Sequence, residues 1–299
     1  VIPTLNGGDV FEKVVDAINS QECPWEFETV VIDSGSADAT VQTASRLKNL
    51  NLIQIKKNEF GHGRTRNLGF VQSSAPFVAF LTQDAIPMGR HWLFNLVSSL
   101  ERRESAAGVF GRHVAHEDAS AFTKSEINAH FASFESFPLY LSRHTDLDHI
   151  GRSQQHIEQV LHFYSDNNSC MRRSVWEAHP YPDVSFGEDQ LWARRIINAG
   201  LEKAYSPHAV VFHSHNYTYE EVFDRSAIES EFFFQEFGHR LISCSANIQE
   251  IVRSMNASSQ DFARLHNVPS NVLALQMKLN EARILGYKKG LENARLASV

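Results

Sequence analysis

The sequence predicts an α/β fold: a doubly wound parallel sheet with flanking helices and its ligands outside the carboxyl ends of the strands. Three observations carry this. Strand-like and helix-like segments alternate through the first hundred residues. Strand-like runs stop at acidic residues, Asp33 and Asp84, where sheets of this class collect ligands. And 299 residues, 42% hydrophobic and 21% charged, suffice for one large domain or one domain with an appendage.

The elements follow in order. Asp9 is placed as a helix cap with Glu12 three residues on, and Phe11, Val14, Val15 and Ile18 form a 3.6-residue stripe. Thr29 to Ile32 reads as a strand ending at Asp33, followed by Ser34-Gly35-Ser36. Val41, Ala44 and Leu47 mark a second helix, and Ile53 and Ile55 the next strand. The turn Phe60-Gly61-His62-Gly63 leads into a helix from Arg64 to Val71. Phe77 to Leu81 is a buried strand ending at Thr82-Gln83-Asp84, and Leu93, Leu96, Val97 and Leu100 stripe the helix after it. Residues 115 to 165 lose the alternation. They hold Phe122, Phe131, Phe134, Phe137, Tyr140 and many histidines, and read as a helical insertion or long crossover beside the site. The pattern resumes with a strand at Asn168 to Met171, a helix from Gly187 to Asn198, and a strand at Val210 to His213. Beyond Tyr217 the sequence reads as helical.

Several function classes drop out. Lys and Arg total 28 against 35 Asp and Glu, a net charge of −7, whereas proteins that hold nucleic-acid phosphates carry a basic excess. Nucleic acid is therefore not an expected partner. Cys23, Cys170 and Cys244 are scattered and form no C-x-x-C pair, which opposes a disulfide scaffold and favours a reducing compartment. No apolar run approaches the ~20 residues of a spanning helix. G-x-G-x-x-G, Walker A, H-E-x-x-H and G-x-S-x-G are all missing. The chain opens at Val1 inside a strand-like segment, so its first residues say nothing about a targeting segment.

Four patches could carry chemistry. Pro3-Thr4-Leu5-Asn6 is a strand end running into Gly7-Gly8. At the second, Asp33 to Asp38, a strand-end carboxylate can accept from a ribose or base, or can simply bind turn amides and cap a helix. At the third, Asp84 suits a hard divalent cation bridging phosphates, or caps a turn. The fourth, Phe186-Gly187-Glu188-Asp189-Gln190, opens a helix, where paired carboxylates are electrostatically favoured and where one could also remove a proton from a hydroxyl. In addition, His213 and His215 share one face of a strand and either could complete a metal site with Asp84. Arg64 and Arg66 follow a glycine turn and could pair with a diphosphate.

Taken in order, these patches resemble glycosyltransferase family 2. Pro3-Thr4-Leu5-Asn6 resembles its opening Pro-Thr-x-Asn, and Asp33-Ser34-Gly35-Ser36-Ala37-Asp38 its Asp-Asp-Gly-Ser-x-Asp loop. Arg66-Asn67-Leu68-Gly69 is similar to Ala-Arg-Asn-x-Gly, Thr82-Gln83-Asp84 stands at the Asp-x-Asp metal motif, and Glu188-Asp189 matches the Glu-Asp pair. The subset with Gly61-His62-Gly63-Arg64, Thr-Gln-Asp, Phe-Gly-Glu-Asp-Gln and His-Ser-His looks most like bacterial rhamnosyltransferases of cell-surface polysaccharide synthesis. The resemblance implies a GT-A fold: a Rossmann-like nucleotide-binding sheet with flanking helices over residues 1–218, then a helical extension over 219–299. It implies an inverting transferase that takes a nucleotide-diphosphate sugar, dTDP-L-rhamnose favoured over a UDP-sugar, to a saccharide or lipid-linked saccharide. Pro3, Thr4, Asn6, Asp33, Gly35, Arg66, Gln83 and Asp84 would hold the donor. Asp84, His213 and His215 would bind Mg²⁺ or Mn²⁺. Asp189 would be the base, with Phe186, Glu188 and Trp192 on the acceptor side. The 115–165 aromatics would border the acceptor.

Two residues depart from the family pattern: Gln83 replaces the first Asp of Asp-x-Asp, and Ser34 the second Asp of the nucleotide loop. The first motivates an alternative, a non-catalytic nucleotide-sugar binder; another is a sugar nucleotidyltransferase, which also sets carboxylates around a metal. Phe232-Phe233-Phe234 and Phe237 belong to a helix read first as packing on the catalytic domain and, more sharply, as touching a lipid-linked acceptor or the inner leaflet. Lys278, Arg283, Lys288, Lys289 and Arg295 form a mild basic cluster. The expected location is the cytoplasm, with the inner membrane face as a peripheral alternative.

Overall fold

The structure, a computed structural model, describes residues 1–147 and 151–296. Residues 148–150 of the expected insertion and 297–299 of the C-terminal region lie outside the described ones. By contacts the chain forms two compact units: Val1–His116 with Glu126–Ser214, and Glu117–Ser125 with the chain from His215 onward.

The first half of the larger unit follows the expected alternation. It runs β1 (Ile2–Thr4), α1 (Gly8–Asn19), β2 (Thr29–Asp33), α2 (Thr40–Ala44) and β3 (Leu50–Gln54). The three strands form a parallel sheet in the order β1-β2-β3, with Thr4 opposite Asp33. β2 is buried throughout, which is why it reads as a continuous apolar run rather than an alternation. The α1 stripe faces inward, with Phe11, Val14 and Val15 fully buried. Asp9 is not its cap, however: the cap is Gly7, two residues earlier, and Asp9 falls in the first turn, where a carboxylate meets the helix dipole.

The chain continues through α3 (His62–Val71), β4 (Phe77–Leu81), β5 (Ile86–Pro87), α4 (Trp92–Glu101), β6 (Ala106–Val114), α5 (Ala121–Ser133), β7 (Tyr140–Leu141) and α6 (Gln154–His162). Then come β8 (Asn168–Arg172), α7 (Arg173–Ala178), α8 (Glu188–Asn198) and β9 (Glu202–Phe212). The second sheet has the order β4-β8-β6-β9-β5, with β7 also on β9. Val1 joins the two sheets, donating to the Ala79 carbonyl and accepting from the Leu81 N–H.

The expectation of an all-parallel sheet is corrected here. β8 runs antiparallel to both β4 and β6, and β5 and β7 run antiparallel to β9. Residues Asn168 to Met171 are buried, so β8 shows the same unbroken pattern as a parallel strand; burial on both faces leaves direction illegible. The consequence is useful. The ends of β1, β2, β4 and β9 and the start of β8 all lie at one edge of the sheets, and Thr4, Asp33, Asp84, His213 and the residues just before Asn168 gather there.

The 115–165 aromatics do not border an open site. Phe131, Phe134 and Phe137 are buried, and Phe110 on β6 stands edge-on to Phe134 and Phe163 with ring centroids 5.1 and 5.2 Å apart. Burying such rings contributes about 1.5–3 kcal/mol each, so the aromatic run is core material. Lys203 is buried in the same cluster and donates to the Val160 and Phe163 carbonyls, capping the end of α6.

The smaller unit holds α9 (Tyr219–Phe237), α10 (Ile248–Leu265) and α11 (Ser270–Leu296). A capping box of Thr218 and Glu221 starts α9. Ser230 on α9 donates to the Tyr287 carbonyl on α11 at 2.7 Å. Phe232, Phe233 and Phe237 cluster together, with Phe232 buried. Among the described residues no helix is long and apolar enough to cross a membrane.

One buried side chain secures the sheet where its ladder breaks. The β6–β9 register shifts between Gly111 and Arg112, and Asn168 fills the gap. It donates to the Ala209 and Arg112 carbonyls at 2.8 and 3.2 Å and accepts from the Trp92 indole at 2.7 Å. Asn168→Ala is expected to lower stability by about 2–3 kcal/mol, since all three partners lose their hydrogen bonds. Denaturant unfolding measures it.

Candidate active site

The first group is built from the ends of β1 and β2. Thr4 is buried and its hydroxyl donates to Asp33 Oδ1 at 3.2 Å; Pro3, before it, is half-buried. Asp33 itself has no solvent exposure. Its Oδ2 accepts from the Gly35 and Ser36 N–H groups at 3.1 and 3.0 Å, and its Oδ1 also accepts from the Ser36 hydroxyl. Of the two readings of Asp33, the carboxylate that binds turn amides is the one seen: four donors occupy its two oxygens, and it shapes the loop from beneath. The exposed rim consists of Asn6, with φ +49°, and Gly35, with φ +97°. Asn6 N–H donates to Ser36 Oγ and its Oδ1 accepts from Ala37 N–H, both at 2.8 Å. Ser34 donates to the Thr4 carbonyl at 3.0 Å, which an aspartate there could not do when ionised.

The ends of β4 and β9 supply a second group. Gln83 clamps Leu5 at two points, accepting from its N–H at 2.7 Å and donating to its carbonyl at 3.1 Å. This explains the residue: a carboxylate can only accept, whereas the amide does both. Asp84, half-buried, faces His213, whose Nε2 lies 3.6 Å from Asp84 Oδ1. His213 is fixed by the sheet, its N–H donating to the Val114 carbonyl at 2.8 Å. Asp84, His213 and His215 offer ligand atoms within 4.8 Å of one another. Two imidazoles and one carboxylate make a mixed N/O set that suits Mn²⁺ or another transition metal better than Mg²⁺, which prefers oxygen. His113 packs against His213 with ring centroids 5.2 Å apart, and burial, reinforced by His213, holds its imidazole well below the usual range.

The third group is an acid cluster on one arginine. Gly187, with φ +72°, starts α8 in a left-handed conformation that favours glycine and turns Glu188 inward. Glu188 Oε1 accepts from Arg66 Nη1 at 2.8 Å, both side chains being at most 8% exposed. Arg66 Nε also lies 3.4 Å from Asp166 Oδ2. Asp166 Oδ1 accepts from the Tyr181 hydroxyl at 2.6 Å and from Ser169 Oγ at 3.0 Å. Asp189, half-buried, follows Glu188 and accepts from the Gln190 N–H at 2.8 Å. Burial pushes its carboxyl well above the ordinary value, reinforced by Glu188 and Asp166 against the opposing pull of Arg66.

Several expected roles change. Arg66, expected at the diphosphate, is buried and committed to Glu188 and Asp166. Glu188, expected on the acceptor side, is its partner. Trp192 is fully buried, its indole donating to the His179 carbonyl at 2.9 Å, so it faces the core instead of an acceptor. Phe186 is half-buried beside the turn. Asp166 and Tyr181 escaped the sequence reading, which began the strand at Asn168. The available signal was an acidic residue two positions before a buried strand.

The fold and this edge of strand ends define a glycosyltransferase: the chain matches the family model for "Glycosyl transferase family 2" over residues 1–179 and belongs to that family. It is similar to the O-antigen chain rhamnosyltransferase RfbN of Salmonella typhimurium, 38% identical over 228 residues, 75% of this chain and 68% of that protein. The corresponding protein WbaN of Salmonella anatum is 34% identical over the same shares. Among solved structures it resembles the mannosyltransferase PcManGT from Pyrobaculum calidifontis, in complex with GDP-Man and Mn²⁺. That match has a TM-score of 0.53 and 17% identity, covering 100% of this chain and 74% of the other. The GT-A architecture expected from the sequence is thereby shown, and the alternatives of a non-catalytic binder and a nucleotidyltransferase give way.

The Leu5 clamp gives a direct check. Gln83→Glu keeps the acceptor but sets a negative oxygen against the Leu5 carbonyl, and is expected to cost about 1–3 kcal/mol of stability. Thermal unfolding measures the loss, and Gln83→Met, which removes both bonds without adding charge, is expected to lose less.

Proposed function

We propose that this protein is an inverting, metal-dependent rhamnosyltransferase acting in cell-surface polysaccharide synthesis, with dTDP-L-rhamnose as donor and a saccharide or lipid-linked saccharide as acceptor. The observation that carries the chemistry is Asp189: a half-buried carboxyl with a raised pKa, in a helix first turn, at the edge that also holds the Asp84–His213–His215 cluster. The rhamnose reading rests on the similarity to RfbN and WbaN. A cytoplasmic location, at the membrane face when the acceptor is lipid-linked, goes with it.

The donor's nucleoside lies on the rim formed by Asn6 and Gly35, supported from below by Thr4 and Asp33. Asp84, His213 and His215 hold a divalent cation, which when bound neutralises charge on the diphosphate leaving group. Asp189 takes the proton of the acceptor hydroxyl as its oxygen bonds to the anomeric carbon. The bond from that carbon to the diphosphate breaks on the opposite face, and its electron pair leaves with the nucleoside diphosphate. One displacement inverts the centre, and a single base suffices.

The donor, the base and the metal are each tested separately. In a panel of nucleotide sugars scored by nucleoside diphosphate release, dTDP-L-rhamnose is expected to be the best donor, and equal turnover of UDP-hexoses would reject it. Asp189→Asn is expected to lower kcat by about 10²–10⁴-fold. Only the ionised form of Asp189 accepts a proton, so the wild-type rate should climb with pH through a value well above the ordinary aspartate range. For the metal, chelation by EDTA should abolish transfer and Mn²⁺ restore it; His213→Ala is expected to raise the Mn²⁺ concentration needed for half-maximal rate about tenfold or more.

A further inference from the structure

We propose that Asp166 is a positioning residue for the transfer reaction: through Arg66 it fixes Glu188, and with it the first turn of α8 that carries Asp189. The proposal rests on the reading of Asp189 as the base.

The geometry forms a closed circuit. Asn67, next to Arg66 on α3, grips the backbone of Tyr181, its Nδ2 donating to the carbonyl at 2.9 Å and its Oδ1 accepting from the N–H at 3.1 Å. Tyr181 then donates its hydroxyl to Asp166, and Asp166 faces Arg66 at 3.4 Å. Arg66 completes the path to Glu188 at 2.8 Å, with Nη1 also donating to the His62 carbonyl at 3.1 Å. Asp166 is 2% exposed. Without it the guanidinium would keep Glu188 and the His62 carbonyl on its Nη1 side but lose the ion pair that faces its Nε.

The circuit also sets charge. Three carboxyls, Asp166, Glu188 and Asp189, surround one guanidinium, so full ionisation would leave two negative charges uncompensated in a buried place. The other groups facing Asp166 supply no balancing cation. Tyr164 and Tyr181 are phenols pushed well up by burial, Ser169 is neutral, and His62 is held down by burial and then by Arg66. Burial pushes Asp166 itself up to about 6, Arg66 opposing and Glu188 reinforcing. Such a cluster titrates as a unit, and the ionised form of Asp166 is one reason Asp189 holds its proton.

The test is the pH profile of kcat/KM in Asp166→Asn, alongside binding of dTDP by calorimetry. Removing the negative neighbour should move the acid limb to lower pH by about half a unit or more. Loosening Arg66 and Glu188 should reduce plateau kcat about 10–100-fold, with dTDP affinity within about threefold. If a melting curve shows that Asp166→Asn does not fold, Tyr181→Phe decides. It keeps the ring but removes the donor that favours ionised Asp166, so the limb should move the same way by less. A folded variant with wild-type limb and plateau, beside an inactive Asp189→Asn, overturns the proposal. An Asp189→Asn enzyme with full transfer overturns the base assignment instead.

Discussion

The burial of one guanidinium between two carboxylates is the constraint on which this edge of the molecule depends. An ion taken out of water costs several kcal/mol unless its partners are close and fixed, and Arg66 has Glu188 on one side and Asp166 on the other. Those partners come from α8 and from the segment before β8, so the pairing ties three distant stretches of chain to one point. The left-handed turn at Gly187, the grip of Asn67 on Tyr181 and the hydroxyls on Asp166 are the conditions under which that charge can remain inside.

The same principle recurs with neutral groups. Side-chain amides hold backbone at two points where strand ends and loops converge: Gln83 on Leu5, Asn67 on Tyr181, and Asn168 across the break between β6 and β9. Each uses a donor and an acceptor at once, which neither a carboxylate nor a hydrocarbon of similar size can do. Gln83, assigned to the donor from its motif, is thus a fixture of the scaffold that shapes the site.

This division explains what was legible in the sequence. The stripe of α1 followed from periodicity, because burial on one face leaves a repeat, whereas the runs of β2 and β4, closed by their acidic ends, were legible as short unbroken apolar segments. The Asp84–His213–His215 grouping was legible from chain order, although the two histidines follow the end of β9 instead of sharing a strand face as expected. Strand direction was not, since β8 is buried on both faces whichever way it runs. Depth was not either: Asp33, Glu188, Arg66 and Trp192 are polar or amphipathic residues that look exposed in a sequence, and only the partners around each show it turned inward. The aromatic run from Phe122 to Phe137 misled for the converse reason, because a ring suited to a sugar face is equally suited to a core.

The Asn6 loop bears on how the protein ages. An asparagine followed by glycine is the pair most prone to cyclise and lose its amide nitrogen, the Gly7 nitrogen attacking the Asn6 side-chain carbonyl. In the folded loop both reacting groups are occupied: the Gly7 N–H donates to Thr40 Oγ1 at 2.7 Å, and Asn6 Oδ1 accepts from Ala37. The rate at which a stored sample gains this one-dalton change at Asn6 therefore reports how often this loop opens, a clock for local motion written in the chemistry of a single residue.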